Sequence, residues 1–309
     1  MKTQTVLEVE GRKVEVSNLE KILYPKAKFT KGEVIDYYIK IAPQLLPHLR
    51  NRPITLKRYP DGENGFFFYE KNCPGHRPKW MKTTNVVKTG GSIDYCVINE
   101  LPALVWTANL ASLELHTFLH KAPNIARPTA LAFDLDPGAP ADIIQCCRVA
   151  LRLKELFESL KMECFPKTSG SKGMQVYVPL NTTTTYDHTK AFAKAVAQAL
   201  ETQTPDLVVS LMAKANRKGK VFVDWSQNDE HKTTVCVYSL RAKDHPFVST
   251  PLSWDEVATA ARSGRSARIT FQARDVISRV SKLGDLFAPV LELKQKLPSL
   301  AAIQNALRA

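Results

Sequence analysis

The 309-residue chain lacks the marks of several protein classes. No stretch approaches about 18 consecutive apolar residues, which excludes an ordinary membrane-spanning helix. The opening M-K-T-Q-T-V-L-E-V-E has no apolar core of a secretory signal. Six cysteines (Cys73, Cys96, Cys146, Cys147, Cys164 and Cys236) show no C-x-x-C spacing, so the expectation is buried free thiols in a reducing compartment, with neither a disulfide frame nor a zinc site. There is no internal repeat, no long linker and no low-complexity tract. The spacing G-x-x-x-x-G-K-[ST] of a Walker phosphate loop is missing as well. These absences lead to the expectation of a cytoplasmic globular protein.

What is present is lopsided charge. Lys and Arg number 43 against 30 Asp and Glu, a net +13 with a pI near 9.4. That balance favours a polyanionic partner, nucleic acid first and an anionic membrane surface second. The basic residues are spread along the chain, which points to a folded basic face rather than a tail. Hydrophobic content of 44% and aromatic content of 8% suit a packed interior.

Periodicity predicts a mixture of helices and strands. Residues 1–20 alternate as a hairpin with Gly11 in its turn. Thr30 with Glu33 opens a helix running toward Ala42, and Pro43 and Pro47 break the next helical stretch. Pro53 to Tyr59 reads as a strand. The run G-F-F-F-Y-E-K-N, Gly65 to Asn72, offers rings for the core or for stacking bases. Lys79 to Lys88 and Ile93 to Val97 form a basic hairpin. Leu101 to Leu119 carries helical periodicity and contains Glu114 and His116. Helices are also expected over Ala141–Leu160, Asp187–Glu201, Leu207–Lys214, Trp254–Ala261, Ala273–Leu283 and the tail from Pro289, with a strand over Lys232–Leu240.

The chemistry converges on four pieces. A-L-A-F-D-L-D-P-G ends a strand with Asp134 and Asp136 on one face, because side chains two apart in a strand point the same way. Alone it reads equally well as a solvated acidic turn. Val221–Trp225 is a second strand, carrying Asp224 at its end. Three carboxylates at neighbouring strand ends are the arrangement that two-metal nucleotidyl transfer requires, and a divalent ion relieves their mutual repulsion. The loop T-S-G-S-K-G (Thr168–Gly173) supplies hydroxyls, backbone N–H groups and Lys172 for phosphate oxygens, and Lys232 and Arg241 flank the next strand.

In order, F-D-L-D-P-G, T-S-G-S-K-G-M-Q-V-Y-V-P-L, V-D-W-S-Q-N and K-T-T-V-C-V-Y-S-L-R-A resemble the polymerase domain of bacterial ligase D, of the archaeo-eukaryotic primase superfamily. The likeness extends to L-E-K-I-L-Y-P, K-R-Y-P-D-G, F-F-F-Y-E-K-N, L-E-L-H and S-T-P-L-S-W-D-E-V, nearly the whole chain. The resemblance implies an α+β (mixed α/β) primase-polymerase fold, with a central mixed or antiparallel sheet platform flanked by helices. It implies one catalytic unit over 1–309, with an N-terminal lobe at about 1–120, a core at about 121–250 and a C-terminal helical segment at about 251–309. The implied activity is templated gap filling and end extension in non-homologous end joining. Substrates would be NTPs or dNTPs, ribonucleotides preferred, on DNA ends and gapped duplex with a 5′-phosphate. Manganese or magnesium would be the cofactor, and Ku and an ATP-dependent DNA ligase the partners, in a prokaryotic nucleoid.

Carried over, the metal ligands would be Asp134, Asp136 and Asp224. Nucleotide contacts would be His116, Ser169, Lys172, Gln175, Lys232 and Arg241. DNA contacts would be Lys21 and Lys31 at the 5′-phosphate, Lys57, and the pair Phe68 and Tyr69 at the template. Many relatives have histidine where this chain has Gln175, and an Ala-Pro pair where it has Cys236-Val237. No ligase lysine motif or nuclease motif is read, so the sequence is expected to be a stand-alone polymerase or an excised domain. Two alternatives remain from the residues: a D-x-D glycosyltransferase, which leaves the charge unexplained, and an idle DNA-end-binding module, against which the acidic trio stands.

Overall fold

The computed structural model describes residues 4–88 and 90–303. The chain divides into two compact units, each assembled from segments distant in sequence. The first comprises Met1–Pro123, Thr233–Ser249 and Phe271–Gly284; the second comprises Asn124–Lys232, Thr250–Thr270 and Asp285–Ala309.

In the first unit, β1 (Gln4–Val9) and β2 (Arg12–Ser17) form the expected hairpin. Its turn places Glu10 and Gly11 at φ 47° and 73°, the handedness that tight hairpins favour. β3 (Ile22–Tyr24) pairs with β4 (Phe29–Thr30), and α1 (Lys31–Leu49) comes next. Thr30 Oγ1 accepts from Glu33 N at 3.2 Å while Glu33 Oε2 accepts from Thr30 N at 2.8 Å, closing the capping box. The helix does not stop before Pro43; it carries Pro43 and Pro47 inside it. An interior proline costs about 3 kcal/mol. The stretch past the first proline buries Leu45 and Leu49 completely, which offsets part of the cost of the two prolines.

The unit's main sheet is six-stranded and antiparallel: β5 (Pro53–Arg58), β6 (Phe68–Glu70), β7 (Thr83–Lys88), β8 (Gly91–Val97), β9 (Ser112–Thr117) and the returning strand Thr234–Val235. The tip of the β7–β8 hairpin, Thr89, lies outside the described residues. α2 (Leu101–Asn109) ends ten residues earlier than periodicity predicted, Ala111 adopts φ 56°, and β9 begins. Glu114 and His116 therefore lie on a strand. The change of period hides in the sequence because Leu101–Leu110 is apolar nearly throughout, while Leu113 and Leu115 alternate with Glu114 and His116. The expected strand Lys232–Leu240 shrinks to Thr234–Val235.

The thiol expectation fails at one pair. Cys73 and Cys96 form a disulfide, with Cα atoms 4.9 Å apart. The cause is tertiary: Cys73 N donates to Asp94 O at 2.6 Å, laying the loop along β8, and a separation of 23 residues gave no local signal. Cys146, Cys147, Cys164 and Cys236 are buried free thiols as expected.

The second unit is built on β10 (Ala130–Pro137), α3 (Ile143–Ser159), β11 (Phe165–Thr168), β12 (Met174–Pro179), α4 (Tyr186–Gln203), β13 (Val208–Val209), β14 (Val221–Asp224) and α5 (Trp254–Ser263). The strand order is β11-β12-β10-β14-β13, antiparallel except between β13 and β14. On β10, Phe133 and Leu135 are fully buried. Phe133 meets Phe157 of α3 at 5.8 Å, and Leu135 O accepts from Cys146 Sγ at 3.4 Å. The predicted helix Leu207–Lys214 is instead β13 and a 3₁₀ turn at Lys214–Arg217. The tail from Pro289 is helical only to Glu292 and again near residues 300–303; residues 304–309 lie outside the described residues. No helix among the described residues is long and apolar enough to cross a membrane.

Candidate active site

In the second unit a polar row crosses the sheet. Register places Lys167 of β11 opposite Gln175, Gln175 of β12 opposite Asp134, and Asp134 of β10 opposite Asp224 of β14. Directly paired residues share a face, so all four project the same way, and Asp136 joins them two residues along β10. Gln175, Asp224 and Lys167 are buried, Asp134 is partly exposed and Asp136 is exposed. Loss of water pushes the Asp134 carboxyl up to about 7, reinforced by Asp136 and Asp224. A hydrogen bond from Gln175 and the charge of Lys167 oppose that rise without cancelling it. Gln175 Oε1 is buried without a hydrogen bond.

Contacts both near and far in sequence fix this row. Asp224 Oδ1 accepts from Ser226 N at 2.9 Å and Ser226 Oγ at 2.5 Å, and its Oδ2 accepts from Gln227 Nε2 at 2.8 Å. Lys232 Nζ donates to the same Ser226 Oγ at 2.5 Å, so it stands behind Asp224 through one hydroxyl. Asn228 clamps the backbone of Ala132 on both sides, accepting from its N at 3.0 Å and donating to its O at 2.8 Å. Glycine is required at 173, where an added Cβ would come within 2.0 Å of Leu135 O, the carbonyl between the two aspartates. In the loop before it, Gly170 takes φ 67°, and Ser169 Oγ accepts from Ser171 N and Gly173 N at 3.2 and 3.3 Å. Lys172 is exposed.

These oxygens are hard donors, chemically suited to Mg²⁺ or Mn²⁺. Like charges gathered on one face, with Asp134 driven toward protonation, fit a set that a divalent cation would relieve. Among the described residues no three His, Cys, Asp or Glu side chains converge tightly enough to form a finished metal site.

The first unit carries its own polar row. Register sets Tyr69 of β6 opposite Lys57 of β5, and Lys57 opposite Glu114 of β9. Glu114 is only 2% exposed, yet two cations flank it, Arg241 Nε at 3.3 Å and Lys57 Nζ at 3.8 Å, with the His116 ring nitrogen Nε2 at 2.9 Å. Its Oε1 also accepts from Ala242 N at 3.1 Å. Burial pushes the Glu114 carboxyl up, but the His116 hydrogen bond and the Arg241, His116 and Lys57 charges outweigh it and hold the group at about 2. Lys57 Nζ stands over three rings, Phe67 at 4.4 Å, Tyr59 at 5.2 Å and Tyr69 at 5.4 Å. His116 meets Tyr69 edge-on at 5.9 Å. Phe68 stacks with Phe66 at 5.9 Å and lies under Arg58 at 5.1 Å. Phe66, Phe67 and Tyr69 are exposed.

A third cluster lies where β3, β4 and α1 meet. Lys31 N donates to Lys21 O at 2.8 Å, and Lys31 Nζ donates to Ser17 O at 2.7 Å. Burial, then the neighbouring Lys21 and Arg58 charges, lower Lys31 to about 8. Lys21 pairs with exposed Asp61 at 3.1 Å.

Residues 30–287 match the family described as LigD, primase-polymerase domain. This chain belongs to that family. The polymerase domain from Mycobacterium tuberculosis Ligase D, solved in complex with DNA, superimposes with a TM-score of 0.84 at 36% identity, covering 91% of this chain and 98% of that one. The LigD proteins of Mycolicibacterium smegmatis and Bacillus subtilis, named multifunctional and bifunctional non-homologous end joining proteins, are 39% and 32% identical over 280 and 297 residues. Those matches take in 90% and 96% of this chain but 36% and 47% of the relatives' own lengths. The α+β primase-polymerase fold expected from sequence is the fold of the LigD polymerase domain.

Within this LigD-type framework, the structure brings together Asp134, Asp136, Asp224 and Gln175 in one unit, and Lys57, Tyr69, His116 and Arg241 in the other. Sequence reasoning assigned no role to Lys167, Glu114, Ser226, Gln227 or Asn228. A lone Lys in the apolar run Phe165–Thr168 and the polar triplet after Asp224 were the available signals.

Proposed function

We propose that this chain is a template-dependent DNA/RNA nucleotidyltransferase that fills gaps and extends ends in DNA double-strand break repair, with residues 1–309 working as one catalytic unit. The observation that carries the reading is the cross-strand register of Asp134 with Asp224, with Asp136 on the same face. Family membership and the likeness to a ligase D polymerase domain solved with DNA support it. LigD polymerase domains are metal-dependent. Here Asp134, Asp136 and Asp224 would hold the metal, manganese or magnesium. Bound there, a divalent ion lowers the pKa of an attacking hydroxyl and neutralises phosphate charge.

The chain's own residues do the rest. Ser226 and Gln227 fix the Asp224 carboxylate, and Lys167 supplies a buried positive charge near Asp134. Lys172 and the backbone of the Ser169–Gly173 loop take phosphate oxygens, while Lys232 acts on the same side as Asp224. Gln175 donates a hydrogen bond but carries no charge. In the first unit, His116, Lys57 and Arg241 bind nucleotide or template, and Phe68 and Tyr69 contact template bases. Lys21 and Lys31 grip a 5′-phosphate. Ribonucleotide preference, a two-metal mechanism, Ku and an ATP-dependent ligase as partners, and a cytoplasmic, nucleoid-associated setting belong to the same proposal.

Asp134→Ala and Asp224→Ala test it. Each should abolish primer extension on a gapped duplex with manganese, while DNA binding by electrophoretic shift survives. Full extension by either variant would refute the assignment. A wild-type chain that binds DNA ends but extends none would instead favour an idle end-binding module.

A further inference from the structure

The first unit holds a cavity of about 390 Å³ that plays no part in the proposed function, walled by β1, β2, α2 and the loop over residues 72–82. Its volume lies in the range of small-ligand sites. Lys13, Glu15 and Ser17 line it together, because side chains two apart on β2 leave the same face of the strand. Trp106 of α2 and His76 of the loop supply its aromatic wall, with ring centroids 6.1 Å apart and planes inclined at 57°. Trp106 is 6% exposed, yet its indole N–H makes no hydrogen bond among the described residues. Lys13 and Glu15 are exposed, and neither side chain has an ion pair or hydrogen bond among the described residues.

The cavity lies between two of the clusters assigned to DNA. On one wall Ser17 O accepts from Lys31 Nζ at 2.7 Å, while Ser17 N donates to Asn109 Oδ1 at 3.0 Å and ties the strand to α2. On another wall Leu110 O accepts from Arg58 Nε at 2.9 Å, and Arg58 lies over Phe68 at 5.1 Å. The cavity is thus linked through Ser17 to the phosphate-gripping lysines and through Leu110 to the template-side rings. Arg77, Lys79 and Lys82 make the flanking loop basic. A ligand for these walls must be flat to lie against the indole. It must also offer an acceptor to the indole N–H, donors to Glu15 and an anion to Lys13. A nucleotide meets all of these conditions: the N–H groups of its base suit the carboxylate, and its phosphate suits the ammonium. A paired base is stacked and its N–H groups are engaged, so the nucleotide must be unpaired.

We propose that this cavity receives the base of an unpaired nucleotide at the 5′-phosphorylated DNA end, with the ring against Trp106 and His76, its N–H groups toward Glu15 and a phosphate on Lys13. The inference rests on the DNA-end-binding reading above and adds a base site to it.

The experiment is fluorescence anisotropy of the full chain on two 5′-phosphorylated gapped duplexes that differ only at one unpaired 5′-terminal nucleotide. One carries deoxyadenosine there and the other an abasic residue. Wild type should bind the base-bearing duplex about fivefold or more tightly, the gain expected from stacking one base. His76→Ala, at an exposed position, should erase most of that advantage and leave both affinity for the abasic duplex and extension across a fully paired gap unchanged. Equal affinities of the wild type for the two duplexes, or an advantage that His76→Ala leaves intact, overturns the inference. A second measurement needs no variant: 5-iodo-deoxyuridine at the unpaired position is irradiated on the wild type. A crosslinked peptide carrying His76 or Trp106 supports the site, and crosslinks confined to other peptides overturn it. His76-dependent calorimetric binding of free deoxyadenosine monophosphate, with no advantage for the base-bearing duplex, would give the cavity to a free nucleotide and overturn the DNA assignment. A wild type that prefers the base-bearing duplex but extends no primer would remove the catalytic reading alone. One that extends primers and shows no such preference would remove this inference alone.

Discussion

Glu114→Gln should destabilise the fold most at neutral pH and little in acid. The folded protein holds this carboxyl at about 2 against an ordinary 4.5. At 1.36 kcal/mol per tenfold, that interval corresponds to roughly 3 kcal/mol. The conversion is warranted because Glu114 is 2% exposed and its partners Lys57, His116 and Arg241 are 14%, 13% and 17% exposed. By contrast, an exposed pair such as Lys21–Asp61, 41% and 69% exposed, gives about 1 kcal/mol at most. The sign comes from the direction of the shift. A carboxyl depressed on folding stabilises fully above its unfolded value of 4.5, and that stability is lost as pH falls toward about 2. Urea unfolding of wild type and Glu114→Gln at about pH 7, 5, 4 and 3, followed by tryptophan fluorescence, measures the gap. It should be near 3 kcal/mol at pH 7 and narrow steadily below pH 4.5. A gap that stays constant across the series, or none at pH 7, would refute the electrostatic account of this cluster.

Gly173→Ala should lower the urea midpoint by an amount matching about 1–3 kcal/mol or more, because the new Cβ would sit 2.0 Å from Leu135 O. Gly75→Ala, with nothing within 4 Å, is the matched control, and equal stabilities would contradict the close approach. Lys31, lowered to about 8, is charged below that pH and neutral above it. Preference for a 5′-phosphorylated gap should therefore fall between about pH 7 and 9, as read by fluorescence anisotropy. Lys21→Ala with Lys31→Ala should abolish the preference; equal weakening on unphosphorylated DNA would make these lysines general backbone contacts.

The residues themselves determined a good deal. The Thr30–Glu33 cap, the Gly11 hairpin and the two aspartates of β10 arise from interactions within a few positions, and local chemistry decides them wherever they lie. Leu135 packs and its neighbours carry charge, as a strand's alternation demands. Sequence also placed Asp224 at a strand end, but not opposite Asp134, because register is set by which strands meet.

What only tertiary structure decided is longer-range. Pro43 and Pro47 stay inside α1, whose continuation past them buries Leu45 and Leu49 in the core. Glu114 and His116 moved from a predicted helix to a strand once β5 and β9 paired. Cys73 and Cys96 are joined because the intervening chain folds back along β8. Glu114 looked like one acid in a helix until Lys57, His116 and Arg241 gathered around it; Lys167 became significant only by standing in register with Gln175 and Asp134. A side chain's type is written in the sequence. The charge it faces, and hence its proton, depends on partners brought from as far as 127 residues away, as between Glu114 and Arg241.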